Sequence, residues 1–134
     1  MKYLLDANAI IAILKAQPAM LRHLRAHAPA DFGLPSVVAH ELFYGAYKGV
    51  RTKDNLARID ALKFEVIEFD REDAQHAGEV RALLANAGTP IGPYDVLIAG
   101  QARARKLTLI TRNMREFSRV PGLDAEDWEN AAVN

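Results

Sequence analysis

The sequence predicts an α/β fold, a three-layer α/β/α sandwich around a central parallel sheet. Three observations predict it. Short apolar runs alternate with longer segments of helical periodicity. Consecutive runs are separated by enough chain for a helical crossover, which joins parallel strands, and not by a hairpin turn. Polar residues follow two of the runs directly, at Asp6 and at Thr111 to Asn113, and open parallel sheets bind ligands beyond the carboxyl ends of their strands.

The elements follow in order. Residues 2–5 read as a first strand and 8–15 as a helix, with Asn8 as its N-cap. Pro18 begins a helix that runs toward His27. "FGLP" at 32–35 is a short strand, after which Ser36 caps the helix "VVAHELFYGAYKG" that stops at Gly49. Residues 53–62 form a further helix, and "FEVIEF" is a strand. Asp70, with Asp73 three residues on, opens a helix that runs to about Ala87, and Gly88 ends it. The turn-rich "TPIGPYD" leads into a helix over 93–105. "LTLIT" is a strand, a short helix covers 113–117, and "VPGLDAEDW" holds a last extended piece.

A length of 134 residues fits one domain, and at that size roughly two-thirds of the unfolded surface is buried on folding. No cysteine is present, which excludes disulfides and thiolate metal sites and suits a reducing cytoplasm. No apolar run reaches the roughly 18 residues of a membrane span, and no signal peptide is visible. Seventeen basic residues balance seventeen acidic ones. That excludes a generic nucleic-acid coat, which would be strongly basic. It does not exclude a nuclease, because carboxylates that hold a metal cancel basic groups in the sum. The basic residues cluster at Lys48, Arg51 and Lys53, at Arg103, Arg105 and Lys106, and at Arg112, Arg115 and Arg119.

The acids carry the functional argument. Asp6 follows the first strand. Asp95 opens a helix whose same face bears Ile98, Ala99 and Ala102. Helix N-termini favour acids, yet an acid heading an apolar stripe faces the interior and needs a partner there. Glu41 lies inside a helix, where capping does not account for it, among Val37, Val38, Tyr44 and Gly45. One reading is a buried ion pair with an Arg or Lys, such as Lys48 two turns on. The other gathers the three acids in one crevice, where a hard divalent cation with oxygen ligands relieves their repulsion. Such a site suits metal-assisted phosphodiester cleavage.

These segments resemble a known family. "YLLDANAIIAIL" resembles the opening of PIN-domain ribonucleases, and "LPSVVAHELFYGA" resembles their second motif. "GTPIGPYDVLIAGQARARKLTLITRNMREFSRVPGLDAEDW" is similar to the third and fourth motifs of VapC toxins of bacterial toxin–antitoxin modules, especially the subgroup that cuts initiator tRNA in the anticodon stem-loop. The likeness spans nearly the whole chain. It implies a single PIN domain over 1–134, a Mg²⁺-dependent endoribonuclease in which Mn²⁺ can substitute, a tRNA substrate, a VapB-type antitoxin, and a homodimer or higher assembly without a membrane.

Carried over position by position, the resemblance makes Asp6, Glu41 and Asp95 the acidic metal site. The family's fourth position is often Asp and here is Asn113, while nearby Glu116 offers a fourth acid. Ser36 and Thr111 match small hydroxyl residues that line the site, and Arg112 and Arg115, with Arg119, flank the fourth motif as candidate RNA contacts. For the antitoxin the resemblance implies an apolar groove, with Leu14, Met20, Leu21, Leu24, Leu56 and Ile59 as candidates.

Three other readings fit the sequence less well. A dehalogenase-like phosphatase needs a second acid two residues after the first, where Asn8 stands. A phospho-receiver needs a Lys after "LTLIT". A non-enzymatic or inactive PIN-like module leaves Glu41 and Asp95 on apolar faces without a reason.

Overall fold

Three of the strands are largely buried, and their positions fix the sheet. The structure, a computed structural model, describes residues 1–130. The last four positions of the expected 1–134 domain lie outside the described residues. The chain runs through β1 (Tyr3–Leu5), α1 (Ala7–Leu14), α2 (Pro18–Arg25), a 3-10 turn at Pro29–Asp31, β2 (Phe32–Pro35), α3 (Ser36–Lys48) and α4 (Thr52–Asp60). It continues through β3 (Glu65–Ile67), α5 (Arg71–Asn86), α6 (Pro93–Arg105), β4 (Thr108–Ile110), α7 (Met114–Phe117) and β5 (Ala125–Glu126).

All strands are parallel, in the order β3-β2-β1-β4-β5. Leu4 pairs with Gly33 on one side and Leu109 on the other. Leu4, Leu5, Leu109 and Ile110 are wholly buried, as expected of central strands covered on both faces. Right-handed crossovers put α1 to α4 over one face and α5 to α7 over the other. The sheet starts in its middle and the strand order reverses at β1 and β4, so the crevice beyond these two strands is the switch point where ligands bind.

Several boundaries differ from the expected ones for physical reasons. Asn8 is exposed and does not cap α1. Asp6 does, its Oδ1 accepting the Ala9 N–H at 2.8 Å, because Ala7 is already helical. Ser36 is the first helical residue of α3 and makes no capping hydrogen bond, and extended Pro35 precedes it. The third strand is only Glu65–Ile67, an edge strand with Val66 half exposed. By contrast, Asp70 and Asp73 do cap α5 reciprocally, at 2.9 and 3.0 Å.

The α5–α6 contact absorbs one of the basic clusters. A Cβ on Gly100 would lie 2.5 Å from Ala77 Cα, so the two helices meet where a larger residue does not fit. Asp73 is buried there and accepts from Gln101 Nε2 at 2.9 Å and from Arg105 Nη2 at 3.0 Å. Arg103 donates to Glu79 and to His76 Nδ1. Arg103 and Arg105 are therefore structural cations.

The last described segment is also fixed. Trp128 is buried between the rings of His23 and His27, at centroid distances of 4.9 and 5.4 Å, with Tyr3 edge-on. Among the described residues no helix is long and apolar enough to cross a membrane.

Candidate active site

Asp6 leaves the middle strand at the switch point, its N–H donating to the Ile110 carbonyl at 3.2 Å. The residue is 4% exposed. Burial pushes its pKa up, hydrogen bonds from the Thr111 hydroxyl and the Ala9 N–H pull it down, Glu129 raises it and Arg112 lowers it, and the net shift is upward. One short segment thus performs two tasks: the same carboxylate ends a strand at the crevice and starts a helix.

Glu41 comes from the second turn of α3. Its Oε1 is buried and has no hydrogen-bond partner. The expected alternative, an ion pair with Lys48, is absent: Lys48 Nζ lies 5.6 Å from the centroid of the Tyr44 ring, and no described cation pairs with Glu41. Burial, then the charge of Asp6, raise the Glu41 pKa against an opposing effect of His40.

Asp95 stands in the first turn of α6. Burial, followed by the charges of Glu116, Asp6 and Glu41 and a hydrogen bond with Glu116, pushes it up to about 6. Glu116 is steadied by Asn113, whose Nδ2 donates to Glu116 Oε2 at 3.0 Å. The Asn113 N–H in turn donates to Thr111 Oγ1 at 2.9 Å. Asn113 and Glu116 are therefore not alternatives, since one holds the other.

The crevice brings together Asp6, Glu41, Asp95 and Glu116, with Thr111 and Asn113 bonded into the group and Arg112 close enough to act on Asp6. Ser36 heads α3, and Arg115 is exposed on α7. Among the described residues neither side chain is tied to the acids by a hydrogen bond or an ion pair. Arg119 Nη1 donates to the Pro90 carbonyl at 3.3 Å and braces a loop. Glu129 is a further carboxylate that acts on Asp6, and the sequence did not reveal it. It follows a tryptophan in an irregular segment, and no local pattern points from there to the first strand.

The donor set fits a hard divalent cation. Every candidate ligand is oxygen, the carboxylates raise one another, and Glu41 Oε1 lacks any donor. Among the described residues no three Asp, Glu or His side chains already stand at metal-ligand spacing, so the group is an open ring of acids.

Beside Glu41 a groove of about 200 Å³ runs between α1, α3 and α4, lined by Ile11, Leu14, Leu42, Ile59 and Arg58, with open space at Gly45. Of the apolar residues expected on a partner surface, Leu14 and Ile59 line it. Met20 is instead in the core at 1% exposure, and Leu21, Leu24 and Leu56 are half-buried outside the groove.

Residues 3–123 match the family model of the PIN domain. The chain is 40% identical to the "tRNA(fMet)-specific endonuclease VapC" of Salmonella typhimurium over 96% of its own length and 98% of that protein. It is 42% identical, with the same coverage, to the protein of that name from Shigella flexneri. The crystal structure of DNA-bound VapBC from Salmonella typhimurium superposes with a TM-score of 0.90 at 40% identity, covering 96% of this chain and 98% of that one. A parallel five-stranded sheet, acids gathered at its switch point, and near full-length likeness agree: the chain belongs to the PIN-domain family, in its VapC ribonuclease branch.

Proposed function

We propose that this chain is the toxin of a type II toxin–antitoxin module, a single-domain, cytoplasmic, Mg²⁺-dependent endoribonuclease that cuts initiator tRNA in the anticodon stem-loop. The observation that carries the reading is the group of mutually repelling carboxylates with an unpartnered buried oxygen on Glu41. The relatives named for tRNA(fMet) support the substrate. Mn²⁺ substitutes for Mg²⁺, since both take oxygen ligands.

Asp6 and Asp95 are the residues that would hold the cation, with Glu41 and Glu116 completing the acidic ring. When bound, the cation supplies Lewis acidity and offsets negative charge that builds up at the phosphate in the transition state. Thr111 fixes the Asp6 carboxylate through its hydroxyl, and Asn113 aims Glu116. Arg112, at the edge of the ring, binds the RNA backbone, and exposed Arg115 extends that contact. Ser36 lines the approach from the end of β2. Water is the nucleophile, so the products carry 5′-phosphate and 3′-hydroxyl ends.

A VapB-type antitoxin covers the groove between α1, α3 and α4 and reaches Glu41 from there. The VapBC assemblies among similar structures support this partner. A second copy of the chain completes a homodimer. Digestion of total RNA with and without Mg²⁺, followed by mapping of both ends, tests the activity. Metal-dependent cuts with 5′-phosphates are expected. Cyclic 2′,3′-phosphate ends, or cleavage indifferent to a chelator, would overturn it.

A further inference from the structure

A separate hollow of about 240 Å³ lies where α1 turns into α2, beneath the segment that follows β5. Asn8, Lys15, Gln17, Arg112 and Glu129 form its polar wall, and Ile11 lies in its apolar part. It adjoins the acids, because Arg112 and Glu129 both act on Asp6. Its charged and polar wall suits a backbone phosphate or the edge of a base.

Glu129 is held there on both sides. Trp128 is clamped between His23 and His27. The Glu129 N–H donates to Asp127 Oδ1 at 2.9 Å, and its carbonyl accepts from Gln17 Nε2 at 3.1 Å. Gln17 Oε1 accepts the Met20 N–H at 2.7 Å and so caps α2. Despite this anchoring, Glu129 Oε2 is shut off from solvent and has no hydrogen-bond partner. A carboxylate oxygen in that condition lacks a donor that would offset its burial. Lys15 and Arg112 stand in the same wall, and among the described residues neither forms an ion pair.

We propose that this hollow is a nucleotide subsite flanking the cut, in which Lys15 and Arg112 take a backbone phosphate while Glu129 and Asn8 read a base. The proposal rests on the RNA-cleaving activity above. Proteins read RNA sequence mainly on unstacked bases, at their Watson–Crick edges. A carboxylate accepts and never donates, so it selects an edge with adjacent N–H donors. Guanine offers N1–H and the N2 amino group side by side and fits best. Asn8, exposed at the head of α1, supplies an amide able to donate to the guanine O6.

The test is cleavage, in Mg²⁺, of a pool of stem-loop RNAs with randomised loops, with the cut ends sequenced. The wild-type chain is expected to enrich guanine at one position flanking the cut by about tenfold. Among the cuts that Glu129→Gln makes, at whatever rate, that enrichment is expected to be lost. Replacing the preferred guanine with inosine, which removes only the N2 amino group, is expected to slow the wild type by about tenfold and to leave Glu129→Gln unchanged. This arm changes the RNA, so the wild-type half does not depend on how the variant folds. Lys15→Ala should weaken binding alike across sequences and reduce the salt slope by about one. An unbiased cut in the wild type, or an unchanged bias in Glu129→Gln, would overturn the proposal. So would variants that lose affinity for the antitoxin but keep the cleavage pattern, because the hollow would then serve a protein partner. Failure of the wild type to cut any RNA would overturn the activity itself, and this subsite with it.

Discussion

Glu116 reaches Asp95 from α7, and the two carboxyl groups share a hydrogen bond while their charges oppose each other. After burial, Glu116 is the largest influence raising Asp95 to about 6. The folded chain therefore holds a proton there that the unfolded chain has lost, between the ordinary value of 3.8 and about 6. Stability from this group is present below that window and falls as pH rises through it. Asp95→Asn removes the penalty. Its full size would be about 3 kcal/mol, and solvent screening at this half-buried position leaves roughly 1 kcal/mol. A thermal melt near neutral pH should show Asp95→Asn about 3 °C above the wild type, while RNA cleavage falls by more than about a hundredfold. A variant that melts lower would contradict the assigned repulsion.

The same proton competes with a cation. Calorimetric titration with Mg²⁺ or Mn²⁺ should show affinity dropping roughly tenfold for each pH unit below about 6, with protons released on binding. Affinity independent of pH across that range would place the cation elsewhere.

Asn113 acts through Glu116. Glu116→Gln should reduce kcat by about tenfold to a hundredfold, in line with the loss of a group that supports a metal site. Asn113→Ala should cost less than Glu116→Gln, and combining the two should cost little more than Glu116→Gln alone. Additive losses in that double-mutant cycle would separate the two residues.

Away from the site, Asp73 and Arg105 join α5 to α6. Burial pushes the Asp73 carboxyl up, but the Arg105 bonds, then those from Asp70 and Gln101, outweigh it and hold it below the ordinary range. A depressed carboxyl stabilises the fold above its unfolded pKa, and that contribution is lost as pH falls through the folded one. Arg105→Ala leaves Asp73 with fewer donors in a buried place. It should cost about 2 kcal/mol in urea unfolding at neutral pH, and the deficit should shrink on acidification.

Much of this was legible in the sequence because its signals are local. Asp6, Glu41 and Asp95 stood out since a strand end, a helix interior and an apolar helix face each state what an acid there must face. The α/β order was readable from alternating periodicities, and the Asp70–Asp73 cap from its spacing. What was not legible depends on distance in the chain. The sequence places Asn8 at the cap because its periodicity separates strand and helix by one more residue than the structure does. Arg105 belongs to Asp73 and Arg103 to Glu79, 32 and 24 positions away, so two of the three residues in that basic cluster are taken up by ion pairs. Glu129 reaches Asp6 from a segment in which Trp128 stacks on His23 of α2 and on His27 just beyond its end.

The most direct test is single-turnover cleavage of initiator tRNA in Mg²⁺ by the wild type and by Asp6→Asn. Asn caps a helix as well as Asp does, so the fold and the Ala9 bond survive while the charge is lost. The account predicts a Tm within a few degrees of wild type and cleavage reduced by about a thousandfold or more. An Asp6→Asn chain that melts normally and cuts at the wild-type rate would contradict it.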